Sequence, residues 1–380
     1  MDETDIIWEI SPHTEAKHSI LKRYIQAWAP ILAQGSRDLR LIYIDGFAGP
    51  GEYRGGEEGS PVVVLKALKE HVLRDKFQGT EFVNIFIEER EDRCKNLEKS
   101  IKERVGELPN WIKYEIKNND FNSQVREILR KLESEGNELA PSLCFIDPFG
   151  WSDLDYDVMS GVMKYDKSEL FITFMAGFLQ RFVFDPLHQK SIEKLYSKDQ
   201  IEEIRNSGNS ENLVLRYFLE NLKNKIEENG YYKPIFDLSF AAYNKYNKLE
   251  YYLIYVTKGV KGMDAMKKAM FKSAGDGSYK FSDFGFNPSQ KSLVDYTDVG
   301  DWTEAAAKDV YEILIEMYKH LNHNGRKIPM HTISDIVTTK SKWYFNKKIL
   351  RWLEEEGKID FIADKRRKWT YPERGYVILK

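Results

Sequence analysis

The sequence predicts an α/β protein with a doubly wound parallel sheet that finishes in antiparallel strands, followed by a smaller helical domain. Apolar runs without alternation, typical of strands buried on both faces, occur at 41–44, 82–87, 142–146 and 170–174. Helical segments long enough for crossovers separate the early runs. Two runs end in aspartate followed by a glycine or proline turn. Ligands bind at this edge of an open α/β sheet.

Length and charge suggest more than one domain. The chain has 380 residues and a net charge of −3, which is long enough for two or three domains. The charge is unevenly placed, because residues 326–380 contain 14 basic and 7 acidic side chains. We therefore expect only the C-terminal segment to suit an anionic partner.

Cysteine content and hydropathy favour a cytoplasmic protein. Cys94 and Cys144 are the only cysteines in the sequence, too few for a disulfide framework, and we expect no metal site. There is no charged and then apolar leader. The longest apolar stretch, 170–179, is interrupted by Thr173 and Gly177. It indicates a buried strand, so no membrane segment is expected.

The first elements lead to a glycine-rich loop. Apolar side chains at helical spacing predict a helix over 12–34, with Lys17 near its start, facing solvent or reaching a ligand carboxylate. The strand 41–44 follows and places Asp45 at its carboxyl end. Gly46, Gly49 and Gly51 then permit a tight turn and close approach of a ligand. Ser60 and Pro61 suit the N-cap and first position of the next helix.

Two interpretations of this loop compete. Glycines before a helix can cradle phosphate, but the loop lacks both the Gly-Lys-Ser/Thr ending and a full GxGxxG, and Asp45 and Glu52 would repel phosphate. A ligand with an amino group, such as S-adenosylmethionine, fits the acids better. A tight turn in some other α/β protein remains the structural alternative.

The next two strand ends carry further candidates for a nucleoside cofactor. Glu88 follows the strand 82–87, where an acid can accept hydrogen bonds from both ribose hydroxyls. Asp120 and Phe121 follow the weaker strand 111–116, where the acid could accept from the adenine amine and the ring could stack. Glu88 could equally be an exposed acid that begins a helix.

A second informative stretch, Asp147-Pro148-Phe149-Gly150-Trp151, follows the strand ending at Ile146. A carboxylate and the carbonyl of a rigid proline turn can both accept hydrogen bonds from one amino group. With an aromatic ring beside them they suit a flipped-out base. Alternatively, this is a proline turn with Trp151 packed over the sheet edge.

The later part of the first domain is predicted in less detail. The strand 170–174 is expected to continue through Phe178, followed by a helical insertion or cap at about 186–230. Strands at 236–242 and 251–257, joined by a turn at 246–248, should form an antiparallel pair, and a helix at 262–272 follows. Residues 276–301, rich in Gly, Ser, Asp and Asn, predict a linker.

The C-terminal segment, 302–380, predicts a winged helix-turn-helix. It shows three helices, 303–320, 331–337 and 342–356, and then a hairpin over 359–379. A winged helix of this charge suits phosphate contacts with nucleic acid, although a solvated basic wing used for protein contacts is an alternative. The candidate nucleic-acid-binding residues are Lys342, Lys347, Lys348 and Arg351 on the third helix and Lys365, Arg366, Arg367 and Lys368 at the wing tip.

These stretches resemble a known family. YIDGFAGPGEYRGGEEGSP, FIEER, FIDPFGW, LFITFM and YYLIYVTKGVKGMDAMKKAM resemble the three-Cys-motif partner proteins, TcmP, of bacteria and archaea, over about residues 12–275. The resemblance implies a Rossmann-like methyltransferase domain over 1–275, a winged helix, and a three-cysteine-motif partner protein similar to radical-SAM enzymes. The first motif is also similar to that of the RlmJ-type ribosomal-RNA adenine N6-methyltransferase.

The resemblance assigns roles to individual positions. It implies that Asp45, Phe47, Gly49 and Gly51 form the cofactor loop and that Glu88 binds the ribose. Further positions follow from it: Asp147 and Pro148 match the start of the Asp-Pro-Pro-Tyr motif of amino-methyltransferases, and Lys17 lies in a helix that can contact cofactor or substrate. Phe149 and Gly150 depart from that motif.

Three functions are compatible with the sequence. The first is an S-adenosylmethionine-dependent methyltransferase acting on an exocyclic amino group of a base in DNA or RNA. The second is a catalytically degenerate protein that binds nucleic acid or a partner protein, favoured by Phe149-Gly150. The third, a magnesium phosphoesterase using Asp45, Glu88 and Asp147, leaves the glycine loop unexplained.

Overall fold

A computed structural model describes residues 5–35, 40–77, 79–207, 210–274, 280–282, 302–320, 327–364 and 366–380. The chain forms two compact units. The first extends to Gly262 and includes the strand at 280–282, and the second holds the rest, from Met263 onward.

The first unit alternates strands and helices. Its elements up to the fifth strand are α1 Pro12–Gly35, β1 Arg40–Asp45, α2 Ser60–Lys69, β2 Glu81–Glu88, α3 Glu91–Arg104, β3 Ile112–Asn118, α4 Phe121–Ser134, β4 Ser142–Ile146, α5 Tyr156–Met163 and β5 Ser168–Phe174. They are followed by α6 Ala176–Phe182, α7 Gln189–Ile192, α8 Lys198–Asn206, α9 Ser210–Glu228, β6 Phe236–Tyr243, β7 Leu249–Thr257, α10 Val260–Ala274 and β8 Lys280–Ser282. Helix α10 begins in the first unit and continues in the second.

The described strands of the first unit form one sheet in the order β3-β2-β1-β4-β5-β7-β6-β8. Strands β1 to β5 are parallel, and β7 is antiparallel to both β5 and β6. This arrangement, with β7 inserted between β5 and β6, is that of Rossmann-like methyltransferases and confirms the predicted fold class. The strand order reverses between β1 and β4, which places a ligand crevice at their carboxyl ends.

The core explains why these segments fold in this way. Strands β4 and β5 are buried along their whole length, as their unalternating apolar sequences predict. The predicted apolar face of α1, including Tyr24 and Trp28, is buried. Phe218 of α9 stacks on Phe174 at 4.3 Å between ring centres. The predicted helical insertion therefore shares the core of the sheet.

Several element predictions differ from the structure. The sequence analysis did not predict α5, and Gly59, not Ser60, is the N-cap of α2. Part of the predicted linker is wrong, because 280–282 form β8, which pairs with β6. The rest of that linker lies outside the described residues. Strand β5 ends at Phe174, and α6 follows in place of the predicted continuation through Phe178.

Gly177 has a packing role at the start of α6. A Cβ at this position would lie 2.1 Å from the carbonyl oxygen of Leu249, on the neighbouring β7. We expect Gly177→Ala to lower the free energy of unfolding by about 2 to 3 kcal/mol, since the backbone must move to admit the methyl group. Urea unfolding measures this. Gly150→Ala is the control, because a Cβ there meets open space; equal effects would contradict the packing role.

The second unit contains three helices and a small antiparallel sheet. Its elements beyond α10 are α11 Trp302–His320, β9 Ile328–Pro329, α12 Met330–Lys340, α13 Lys347–Glu355, β10 Ile359–Ile362 and β11 Tyr376–Leu379, with strand order β10-β11-β9. This order suits the winged helix, which remains a prediction. Helix α13 begins five residues later than predicted, because the Asn346 side chain caps it by accepting from the Lys348 N–H. No helix in the described ranges is long and apolar enough to cross a membrane.

Candidate functional site

A cavity of about 420 Å³ opens at the carboxyl ends of the central strands, where the topology predicts a ligand. Its volume lies in the range of small-molecule and cofactor sites. The cavity is bordered by the loop after β1, the ends of β2, β4 and β5, the start of α1 and the segment before α1. The predicted site residues that line it are Lys17, Phe47, Gly49, Gly51, Glu88, Asp120, Phe121, Asp147, Pro148 and Phe149.

The loop after β1 turns at its glycines, as predicted. Gly49 and Gly51 have φ angles of +62° and +82°, which side chains with a Cβ rarely adopt. A Cβ on Gly51 would also lie 2.7 Å from Leu97 of α3. The loop is fixed to β2 by a 2.9 Å hydrogen bond from the Ala48 N–H to the Ile87 carbonyl. Its backbone therefore borders the cavity in a fixed position.

Asp45 is placed differently from the prediction. It is fully buried and does not line the cavity, so the prediction of a direct cofactor contact is wrong in this structure. Its carboxylate accepts from the Phe47 N–H at 3.3 Å and from the Tyr43 hydroxyl at 3.2 Å. Burial raises the pKa of Asp45 to about 7. The Asp45 side chain therefore supports the turn after β1 from the protein interior.

Glu88 meets the requirements for an acid that binds a ribose. Its two carboxylate oxygens accept from the Gly49 N–H at 3.1 Å and the Arg90 N–H at 2.9 Å. These bonds orient the side chain at the cavity wall and leave acceptor capacity on each oxygen. Burial raises the pKa of Glu88 above its ordinary value.

Asp120 and Phe121 lie on the same side of the cavity. Asp120 is the N-cap of α4 and accepts from the Ser123 N–H at 2.9 Å, which holds the pKa of Asp120 below its ordinary value. Phe121 is 3 % exposed and lies against Gly46 and Phe47. This ring supports the loop and lines the cavity, and its stacking on adenine stays a prediction.

Lys17 pairs with Asp147 on the other side of the cavity. The Lys17 ammonium donates to the Asp147 carboxylate, and the Lys17 side chain is only 8 % exposed. The structure thus joins Lys17 to the candidate catalytic acid, whereas the prediction placed it among the cofactor contacts. His18 beside it is neutral at pH 7, because burial lowers its pKa to about 4.

Two residues at this side were not found by the sequence analysis. Thr173 is the penultimate residue of β5, one position beyond the pair formed by Ile146 and Ile172, and so lies beside Asp147. Thr173 lines the cavity, and its buried hydroxyl has no hydrogen-bond partner among the described residues. The sequence analysis extended β5 through Phe178. With the correct end at Phe174, the parallel register of β4 and β5 would have placed Thr173 beside Asp147. Trp8, before α1, also lines the cavity, and no pattern in the sequence marks it.

The residues after Asp147 separate into two roles. Pro148 is buried at the cavity wall, and Phe149 is 60 % exposed. Trp151 points away into the protein, where its indole N–H donates to Ser191 at 3.2 Å and its ring packs near Phe182. The alternative interpretation of Trp151 as a packing residue is therefore correct, and Phe149, unlike Trp151, borders the cavity.

The metal-dependent alternative has little structural support. Within the described ranges, no three His, Cys, Asp or Glu side chains are grouped as metal ligands. Asp45 is behind the loop, Glu88 is held by two backbone N–H groups, and Asp147 is paired with Lys17. Among the described residues, the three acids are therefore not grouped around one metal position.

The predicted nucleic-acid-binding residues lie in the second unit. Lys342, Lys347, Lys348, Arg351, Arg367 and Lys368 are exposed, and Lys365 lies outside the described residues. The prediction for Arg366 is wrong: its guanidinium binds the Glu354 carboxylate and the carbonyls of Phe361 and Thr370. Arg366 is thus committed to the interior of this unit.

Comparisons with known proteins give a fold-level likeness. No protein-family model matches the chain, and no curated protein matches it. Among solved structures, the chain is similar to an O-methyltransferase from Bacillus cereus in complex with SAH, at 12 % identity, a TM-score of 0.34, and coverage of 66 % of this chain and 83 % of that one. It is also similar to Trm1 from Pyrococcus horikoshii with S-adenosyl-L-methionine, at 13 % identity, a TM-score of 0.39, and coverage of 99 % and 93 %. The fold of this chain is defined by its own strand order.

The residues present fit a nucleoside cofactor with an amino-acid tail. The positive-φ glycines leave the loop backbone open to a ligand, Glu88 offers oriented acceptors, and Asp120 lies beyond it at the same wall. Asp147 and Thr173 lie at the opposite wall. The two walls of the cavity therefore differ in the groups that they present.

Proposed function

We propose that the chain is an S-adenosylmethionine-dependent methyltransferase that acts on an exocyclic amino group of a base in DNA or RNA. One observation carries the proposal: the glycine loop with Glu88 and the Asp147-Pro148-Phe149 turn face one cavity at the switch point of a methyltransferase-type sheet. The bound cofactor would supply an electrophilic methyl group. Glu88 and the backbone of the glycine loop would bind the ribose of this cofactor.

The substrate side suits a weakly nucleophilic amine. Asp147 can accept a hydrogen bond from one amine proton, and the free hydroxyl of Thr173 beside it can accept from the other. Two such bonds withdraw the nitrogen lone pair from conjugation with the ring and orient it for attack. The Lys17 ammonium donates to the Asp147 carboxylate and so fixes its orientation.

Cofactor binding is the first test. We expect wild-type protein to bind S-adenosylmethionine in a saturable one-to-one titration. Glu88→Gln should bind it about 30-fold more weakly, because the amide replaces one of the two acceptor oxygens for the ribose hydroxyls with an NH₂ donor. Titration calorimetry measures both. Glu91→Gln, which changes an exposed acid outside the cavity, is the matched control. A folded wild-type protein that shows no binding would refute the proposed cofactor.

The macromolecular substrate remains part of the proposal. The exposed cations of α13 and the hairpin support a nucleic-acid partner for the second unit. The winged helix would then bring the base-bearing strand to the enzyme, which we propose to be cytoplasmic. A protein partner of the three-cysteine-motif type, proposed from the sequence resemblance, is the other possible occupant of this unit.

A second candidate function is binding without catalysis. Phe149-Gly150 in place of a second proline and an aromatic favours it, as does the ion pair that already occupies one oxygen of Asp147. Such a protein would bind S-adenosylmethionine and its partner but transfer no methyl group. A labelled-methyl assay over pooled RNA and DNA separates the two functions.

A further inference from the structure

Three aromatic rings meet at the cavity, and one of them, Trp8, belongs to no motif found in the sequence. The ring of Trp8 lies 5.8 Å from Phe149 with an interplanar angle of 68°, and 5.9 Å from Tyr53 at 88°. All three residues line the cavity. Both contacts are edge-to-face, which leaves ring surface uncovered by the partner ring.

The segment that carries Trp8 is fixed to the glycine loop and to α3. The Arg54 N–H donates to the Trp8 carbonyl at 2.8 Å, and the Arg54 guanidinium pairs with Asp5 at 2.8 Å. Arg93 of α3 lies 4.8 Å from the centre of the indole and donates to the Asp5 carbonyl at 3.3 Å. These contacts position Trp8 before any ligand arrives, which lowers the cost of binding.

We propose that Trp8 and Phe149 form an aromatic subsite for one planar ring, which stacks on one of the two side chains and meets the other at its edge, so that the segment before α1 is part of the substrate site. The ligand is a nucleobase whose exocyclic amine reaches Asp147, two positions before Phe149 in the chain. Phe149 borders the cavity and is 60 % exposed, so its ring offers surface that a ligand can cover.

The chemistry excludes other amine-bearing substrates from this subsite. An aliphatic amine, such as a lysine side chain, gains little from ring faces when its charge is neutralised by Asp147, and it offers no plane to stack. A nucleobase presents a flat π surface, and stacking on aromatic side chains contributes about 1 to 3 kcal/mol per base. This inference rests on the proposed function and names the ring that it acts on.

The test uses the full chain with its cofactor side filled. S-Adenosylhomocysteine is first titrated by calorimetry and then kept saturating, so that nucleotides cannot enter the cofactor side. Saturation-transfer difference NMR then measures adenosine, cytidine and guanosine 5′-monophosphates, with ribose 5-phosphate as the ring-free reference. The variants are Trp8→Leu, Phe149→Leu and the conservative Trp8→Phe, with Tyr232→Leu as an exposed aromatic control at the opposite edge of the sheet.

We expect saturation of base-ring protons in the wild type for at least one nucleotide and none for ribose 5-phosphate. Trp8→Leu and Phe149→Leu should raise the apparent Kd about tenfold, and Trp8→Phe and Tyr232→Leu should change it less than about twofold. Normal cofactor binding with ring saturation unchanged by Trp8→Leu would overturn the subsite alone. No binding of S-adenosylhomocysteine to the wild type would overturn the proposed function and the subsite with it.

Discussion

Asp147→Asn is expected to lower methyl transfer about a thousandfold while S-adenosylmethionine binds within about twofold of the wild-type affinity. The amide places an N–H₂ group or a weaker acceptor where the amine proton must be bound, so the nitrogen lone pair stays conjugated with the ring. Asp147 is bonded to Lys17, whereas the Gly49 N–H of the glycine loop is bonded to Glu88, and cofactor affinity should therefore be spared. Transfer of tritium from methyl-labelled cofactor to bulk RNA and DNA measures the effect.

The ion pair with Lys17 determines the controls for this experiment. Removing one partner leaves the other charge buried, which can cost about 3 to 5 kcal/mol of stability and mimic a catalytic defect. Lys17→Met combined with Asp147→Asn removes both charges and should restore the thermal midpoint without restoring transfer. Asp157→Asn, on the exposed start of α5, is the matched single control. Transfer within tenfold of wild type in folded Asp147→Asn would show that this carboxylate is not catalytic.

The sheet was predictable because its information is local and repeated. Each central strand is a short apolar run, and an acid ends β2 and directly follows β4, at Glu88 and Asp147. Errors arose where packing between distant segments decides the structure. Gly177, within the predicted continuation of β5, lies in α6 against the backbone of Leu249 in β7, a contact between distant segments that no local pattern records.

The sequence predicted which residues lie at the strand ends of the site, but not which side chains bond to one another there. Residues at strand ends meet because parallel strands share an edge, so Glu88 and Asp147 face one cavity as expected. Whether an acid faces the ligand or supports the loop depends on side-chain orientation, and Asp45 turned inward toward Tyr43. Lys17 and Asp147 are 130 residues apart, a separation that gives no sequence signal for their ion pair.

The run of cations at 365–368 was predicted to contact nucleic acid, but Arg366 within it has a structural role. Its guanidinium donates to Glu354 at 2.7 Å and to the Phe361 carbonyl at 2.6 Å, and the two side chains are 15 % and 16 % exposed. Tyr371 also donates to Glu354, at 2.8 Å. Burial alone would raise the pKa of Glu354, but the hydrogen bonds from Arg366 and Tyr371 outweigh burial and hold that pKa below its ordinary value.

Arg366→Ala is therefore expected to destabilise the second unit by about 3 kcal/mol at pH 7, since it leaves the Glu354 carboxylate buried and unpaired. A depressed folded-state pKa contributes stability above the unfolded value of 4.5, and that stability is lost as the pH falls. The deficit of Arg366→Ala should then shrink below that pH. Hydrogen exchange over residues 347–362 locates the effect in α13 and β10. Arg367→Ala, an exposed neighbour, should leave exchange unchanged, and a deficit that stays constant down to pH 3 would show that the ion pair is not its cause.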